Sequence, residues 1–88
     1  MGVQQYGQSR RPKKSVEEEA RKRFGRNVRA RRSQLALSQE KAAAMCDMDR
    51  AYYGGIERGE RNPSLDNIVR IARTLDIRIA QLVAGIDD

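Results

Sequence analysis

The side chains best suited to bind another molecule follow Asp49, which can cap a helix by accepting hydrogen bonds from its first free amides. Arg50, Ala51 and Tyr52 come next in the chain. An arginine fork can bond two acceptors of guanine, and the Ala51 methyl can touch a thymine methyl. Tyr52 can bond a phosphate or a base, or it can be a partly buried surface aromatic. A helix with such an outward face could enter a DNA major groove.

Residues that could catalyse a reaction are scarce. The sequence has no histidine, and Cys46 is its only cysteine. Ser–His and Cys–His catalysis, an intramolecular disulfide and a Cys/His metal cluster are therefore excluded. Three glutamates at 17–19 complement a helix dipole and do not form a paired-carboxylate site. We expect no enzymatic activity, metal or cofactor, no small-molecule ligand is evident, and Cys46 should fill the core.

Positive charge is concentrated in the first two-fifths of the chain. The 88 residues carry a net charge of +6, and residues 1–34 hold eleven Lys and Arg against three Glu. Such a one-sided excess favours a polyanion partner such as double-stranded DNA, the alternative being a solvated surface. A single domain of this length is marginally stable unless it is well packed or oligomeric.

Hydropathy and the lone thiol indicate where the protein works. No apolar run approaches the roughly 18 residues that a membrane span needs, and the first ten residues lack the apolar core of a signal peptide. One cysteine suits a reducing compartment. We therefore expect a cytoplasmic protein without a membrane partner.

Capping residues and hydrophobic periods predict five helices. Ser15, Ser38, Asp49 and Ser64 can each cap one, whereas Arg78 is a poor cap for the last. The predicted helices run from 16 to about 33–36, from Gln39 to Cys46, from Arg50 to Arg58, from Leu65 to Leu75 and from about Ile79 to Ala84.

Apolar spacing assigns the inward faces of these helices. Phe24, Val28 and Leu35 should form the buried stripe of the first helix. The other predicted inward side chains belong to the turn and the third helix: Met48, Tyr53 and Ile56. Gly54 and Gly55 should lie on the outer face, beside Arg50 and Ala51. Gly25 weakens the first helix slightly, because glycine is a poor helix former.

Three segments carry a resemblance to a known family: Leu37-Ser38-Gln39-Glu40, Ile56-Glu57-Arg58-Gly59 and Arg61-Asn62-Pro63-Ser64-Leu65. In this order the chain resembles the helix-turn-helix of the Xre family, which includes Cro and the phage repressors, over roughly Phe24 to Leu82. The resemblance implies an all-α, five-helix lambda-repressor-like domain over residues 15–88, with an extended first helix and the motif at about 39–58. Residues 1–14 should be a disordered basic arm.

The chain departs from the family pattern at a few positions. Asp47 stands where the family usually has the turn glycine, and aspartate tolerates the left-handed conformation better than most residues. Ala42 replaces a usual leucine, so the core there should be thinner. Gly54 and Gly55 replace polar or basic residues, which leaves few base readers and gives DNA shape a larger part in specificity.

What the resemblance implies is a sequence-specific regulator that binds operator DNA as a dimer. Gln39 and the amides beside it would clamp a phosphate, and Arg32 would pair with Glu57, unless both charges are solvated. The expected DNA-binding set is Gln39, Arg50, Ala51, Tyr52, Gly55, Arg58, Arg61 and Asn62, with Arg58, Arg61 and Asn62 on the DNA backbone. The expected dimer interface contains Ile79, Val83 and Ile86.

Other functions fit the same sequence. The size also suits a restriction-modification controller, which is a small regulator of this fold. An antitoxin or another partner-binding module would instead use the C-terminal surface to hold a second protein. The basic arm and the two glycines would also suit a nucleic-acid binder without sequence preference.

Overall fold

The computed structural model describes residues 15–88, which form five α-helices and confirm the predicted all-α fold. The helices are α1 (Val16–Gln34), α2 (Gln39–Met45), α3 (Arg50–Glu57), α4 (Leu65–Thr74) and α5 (Ile79–Leu82). The expected arm of residues 1–14 lies outside the described residues. Within residues 15–88, no helix is both long and apolar enough to cross a membrane.

Four of the helices begin at the capping residues that the sequence predicts. The hydroxyls of Ser15, Ser38 and Ser64 each accept from the amide three residues later, at 2.9, 3.0 and 3.1 Å. Asp49 accepts from the amides two and three residues later, at 3.0 and 3.3 Å. Arg78 provides no side-chain cap for α5, as predicted. Local hydrogen bonds therefore set where α1 to α4 start.

Left-handed residues end several of the helices. Asp47 and Asp76 have φ angles of 57° and 52°, and Gly59 has 77°. The expectation for Asp47 is confirmed. Ala36 also has a φ of 58°, which the sequence did not indicate, because alanine disfavours this conformation by about 1 kcal/mol or more. The turn there leaves Leu35 37% exposed, so its assignment to the buried stripe is wrong.

The core is formed by residues of all five helices. Phe24 and Val28 of α1 are buried, and Tyr53 and Ile56 of α3 are at most 1% exposed. The remaining buried apolar residues are Ala42, Ala43, Cys46, Ile71, Ala72, Leu75 and Leu82. Cys46 is a core residue as predicted, and burial raises the pKa of its thiol. A protonated, buried thiol is a poor nucleophile.

Helix α1 reaches α3 at a point where a side chain cannot fit. A Cβ on Gly25 would lie 2.5 Å from the Ile56 carbonyl oxygen and closer still to that of Glu57. The absent side chain therefore lets α1 cross directly over the carboxyl end of α3. Gly25 is a packing requirement and not merely a weak helix former.

Two polar side chains of α1 also terminate the last two helices. Arg31 donates from Nε to the Leu75 carbonyl at 2.8 Å and from Nη2 to that of Asp76 at 2.9 Å. Asn27 donates to the carbonyls of Leu82 and Ala84, both at 2.9 Å. Carbonyls at helix ends lack partners within the helix, and a cation complements the dipole there. Helix α1 thus fixes α3, α4 and α5 relative to one another.

We predict that Gly25→Ala destabilises the fold by about 3 kcal/mol, at the upper end of overpacking effects, because the obstructing atoms belong to the backbone. Urea unfolding followed by circular dichroism measures this. Gly54→Ala is the matched control, since its Cβ would meet only the ends of two long side chains at 3.1 Å. The control should be neutral or more stable by up to about 1 kcal/mol. Equal stabilities for the two variants would contradict the crossing at Gly25.

Candidate nucleic-acid interface

Helix α3 has one face in the core and one face open to solvent. Tyr53 and Ile56 are buried, whereas Arg50 and Ala51 are exposed and Tyr52 is half-buried. Helix α2 packs against α3, and residues 46–49 connect the two. The first turn of α3 therefore presents Arg50, Ala51 and the edge of Tyr52 outward, as a helix that enters a groove must.

A buried carboxylate joins α3 to the two helices before it. Among the charged residues of the described range 15–88, only Glu57 is buried. It accepts from Arg32 at 2.7 and 3.0 Å and from the Gln39 side-chain amide at 3.0 Å. Arg32 also donates to the Leu37 carbonyl at 2.9 Å. A two-pronged bond of this kind fixes both distance and orientation.

This cluster keeps Glu57 ionised in spite of its burial. Burial opposes its charge, but hydrogen bonds from Arg32 and Gln39 outweigh that effect and hold the pKa of the carboxyl below its usual value. The Tyr53 hydroxyl lies nearby and has no hydrogen bond of good geometry among the described residues. Burial raises the pKa of the Tyr53 phenol, and the Glu57 carboxylate raises it further, so the phenol stays neutral.

Long polar side chains cover the two glycines of α3. A Cβ on Gly54 would lie 3.1 Å from both Arg58 Nη1 and Gln39 Oε1, and one on Gly55 would lie 2.7 Å from Arg61 Cγ. Both glycines are buried. Gly54 and Gly55 therefore belong to the outer side of α3, as expected, but they are covered, because side chains from other positions occupy the space that their own would take.

The loop after α3 returns Arg61 to the surface of that helix. The Arg61 guanidinium carbon lies 5.7 Å from the centre of the Tyr52 ring, within cation–π range. The Tyr52 hydroxyl accepts from Asn67 Nδ2 of α4 at 3.1 Å. Arg58 forms an exposed ion pair with Glu60 at 3.1 Å, and Asn62 is exposed in the loop.

The structure thus brings most of the predicted DNA-binding residues onto one surface, centred on the middle of α3. It also adds features that sequence reasoning missed. Asn67 is not part of any motif, and its contact with Tyr52 spans 15 positions in the chain. Gln39, expected to clamp a phosphate, directs its amide nitrogen at Glu57. The one sign of this arrangement in the sequence is the pair Gly54 and Gly55, which leaves room for other side chains over the middle of α3.

The expected dimer residues differ in exposure. Ile79 at the start of α5 is 41% exposed, whereas Val83 and Ile86 are half-buried and pack against the core. An open groove lies beside Ile79 between α4 and α5, and Val69 and Ile77 contribute to its lining. Ile79 is therefore the most accessible of the three.

Two helices packed through a short turn, with arginines on the outer face of the second, define a helix-turn-helix DNA-binding domain. Comparison with known proteins agrees. The family model described as Helix-turn-helix matches residues 28–82. The control protein C.MunI of Mycoplasma sp is 42% identical over 66 residues, which are 74% of this chain and 89% of that protein. The control protein C.BamHI of Bacillus amyloliquefaciens is 48% identical over 61 residues, covering 68% and 75%.

A solved structure supports the same assignment. The restriction-modification controller protein C.AhdI from Aeromonas hydrophila superposes with a TM-score of 0.68 at 45% identity, over 70% of this chain and 94% of that one. The chain belongs to the helix-turn-helix family and is a DNA-binding transcriptional regulator.

We predict that Glu57→Gln destabilises the fold by about 2–3 kcal/mol at pH 7, below the usual loss for a fully buried pair because Arg32 keeps some contact with water. The folded-state pKa of Glu57 is lower than the ordinary value of 4.5. Its ionisation therefore contributes stability above about pH 4.5, and this is lost as the pH falls through the folded-state pKa. The difference in the free energy of unfolding between wild type and variant should therefore become smaller as the pH falls below about 4.5.

Urea unfolding at a series of pH values from 7 downward measures this difference. Glu60→Gln is the control, because its carboxylate pairs with Arg58 in full contact with solvent and exposed pairs contribute little. Two outcomes would contradict the role given to Glu57. One is a difference in the free energy of unfolding that stays constant below pH 4.5, and the other is a difference no larger than that of Glu60→Gln.

Proposed function

We propose that this protein binds operator DNA sequence-specifically as a homodimer and controls transcription in a restriction-modification system. The supporting observation is the outer surface of α3, where Arg50 and Ala51 are exposed and Arg58 and Arg61 cover the helix middle. This surface offers hydrogen-bond donors and a methyl group to base edges, and it offers cations to phosphates. These groups complement the base edges in a DNA major groove and the phosphates along its sides. As a DNA-binding regulator it would act in the cytoplasm.

Arg50 is the proposed base reader. It is the first residue of α3, it is exposed, and Asp49 just before it holds the start of the helix in place. Side chains at the start of a recognition helix point at base edges, and an arginine fork matches O6 and N7 of guanine. Ala51 would contact a thymine methyl and Tyr52 a phosphate or base.

Phosphate contacts would surround the reading helix. The first amides of α2 have no partner within the helix, so the start of this helix favours a phosphate. Arg58 and Asn62, exposed at the end of α3 and in the loop, would hold the flanking backbone. Such contacts fix the register of the protein on the duplex, and the base readers then select the sequence.

The dimer would form through the C-terminal region. Ile79 and the groove between α4 and α5 expose apolar surface. A two-fold dimer places two recognition helices about one turn of DNA apart, which matches a palindromic operator. The assignment to a restriction-modification system rests on relatives named as control or controller proteins, which share 42–48% identity with this chain.

The proposal is tested first by selecting binding sites from random DNA and mapping the selected sequence onto the source genome. A palindromic site upstream of genes for a restriction endonuclease and its methyltransferase would support it. A selected site unrelated to such genes would refute the controller assignment, and selection of no sequence would refute specific binding.

We predict that Arg50→Ala weakens binding to the selected operator by about 1–3 kcal/mol and relaxes preference at one base pair of each half-site. Titration of all single-base operator variants measures both effects. Arg26→Ala is the charge-matched control, because Arg26 is exposed on α1, outside the helix-turn-helix motif. The control should weaken all variants alike. If Arg50→Ala does the same, Arg50 is a phosphate contact.

We predict that Ile79→Asp converts the dimer into folded monomers, because a charge in an apolar interface loses its hydration without gaining a partner. Analytical ultracentrifugation measures the mass, and circular dichroism checks the fold. Leu65→Asp is the control, since Leu65 is 71% exposed at the far end of α4, and this variant should remain dimeric. A folded Ile79→Asp variant that is still dimeric would place the interface elsewhere.

A further inference from the structure

The space beside Gly55 is occupied by the side chain of a residue outside α3. A Cβ at this position would lie 2.7 Å from Arg61 Cγ, 3.3 Å from Nε and 3.6 Å from Cδ. The stem of Arg61 therefore lies along the recognition helix at the place where a residue of that helix would project. Since the overlap is with the stem and not with its mobile end, any side chain at position 55 would displace Arg61.

The far end of Arg61 is held one turn nearer the start of α3. Its guanidinium carbon lies 5.7 Å from the centre of the Tyr52 ring, and Tyr52 precedes Gly55 by three residues, which makes the two positions neighbours on a helix surface. Arg61 thus runs along α3 toward its first turn. That turn carries Arg50 and Ala51, so the guanidinium approaches the end of the helix that faces base edges.

The Tyr52 ring is itself fixed by α4. Its hydroxyl accepts from Asn67 Nδ2 at 3.1 Å, and the Asn67 amide donates to the Ser64 cap at 3.1 Å, which places Asn67 in the first turn of α4. The ring is therefore held at its tip by a hydrogen bond, and the guanidinium lies over its face within cation–π range. An arginine whose orientations are restricted before binding loses less conformational entropy when it binds.

We propose that Arg61 is a specificity-determining residue that contacts a base from the place where a side chain at position 55 of α3 would project. Asn67 is then a positioning residue, because it holds the Tyr52 ring over which the Arg61 guanidinium lies. The proposal deepens the proposed function and depends on it. It replaces the expectation that Arg61 contacts only the DNA backbone. It also explains how a recognition helix with glycines at 54 and 55 can have more than one arginine reader.

Single-base variants of the selected operator test the proposal on the full chain. Arg61→Ala and Gly55→Ala should relax preference at the same base pair, with a loss of discrimination of about 5- to 150-fold. Gly55→Ala keeps every charge and displaces the stem of Arg61. Arg61→Lys keeps the charge but not the fork, and it should relax that same base pair. Gly54→Ala is the control and should keep the full preference.

Asn67→Ala tests the positioning role. Because it removes one hydrogen bond, it should reduce discrimination at the Arg61 base pair by about threefold to tenfold, which is less than Arg61→Ala, and leave the other base pairs and the salt dependence of binding unchanged. A purely structural role for Asn67 would weaken binding to every operator variant equally. Circular dichroism confirms that each variant is folded before its binding is measured.

Two results would overturn the proposal while leaving the proposed function intact. One is uniform weakening by Arg61→Ala with a salt slope reduced by about one unit, which is the behaviour of a phosphate contact. The other is a Gly55→Ala variant that retains the same base preferences as Gly54→Ala. If the wild type itself selects no sequence, the proposed function fails first, and this inference fails with it.

Discussion

The domain depends on one buried carboxylate, that of Glu57. A charge without a partner in the interior would cost several kcal/mol, so burial is possible only while its hydrogen bonds are made. The Arg32 fork comes from α1, Gln39 comes from the start of α2, and Glu57 is the last residue of α3. All three helices must be in register for the bonds to form together. This requirement turns three short elements into one rigid support for the outer face of α3.

The outer surface of α3 is built with few side chains of its own helix. Glycine at 54 and 55 leaves the middle of α3 bare, and side chains of Gln39, Arg58 and Arg61 occupy that space. A glycine has a similar role inside the domain, where the missing side chain of Gly25 lets α1 approach α3 closely. Both arrangements use a missing Cβ to bring another part of the chain near, and in both the helix propensity of glycine is a secondary matter.

The starts of the helices are predictable from the sequence because local chemistry decides them. Ser15, Ser38, Asp49 and Ser64 each begin a helix because a side-chain oxygen next to free amides has the same effect in any fold. Contacts between distant parts of the chain are not predictable in this way. Leu35 has the right period for burial, but α1 ends one residue before it and the following turn leaves it exposed. The position of Arg61 over Gly55 depends on how the loop folds back, which no local pattern records.

Dimethyl sulfate protection of the selected operator tests directly whether α3 lies in the major groove, because this reagent methylates guanine N7 in the major groove and adenine N3 in the minor groove. With α3 in the major groove of each half-site, the protein should protect guanine N7 in two clusters about 10–10.5 base pairs apart. Substitution of Arg50 should remove the protection of one guanine per cluster. Protection of adenine N3 alone, or a single unpaired cluster, would contradict the account of a dimer that reads the major groove through α3.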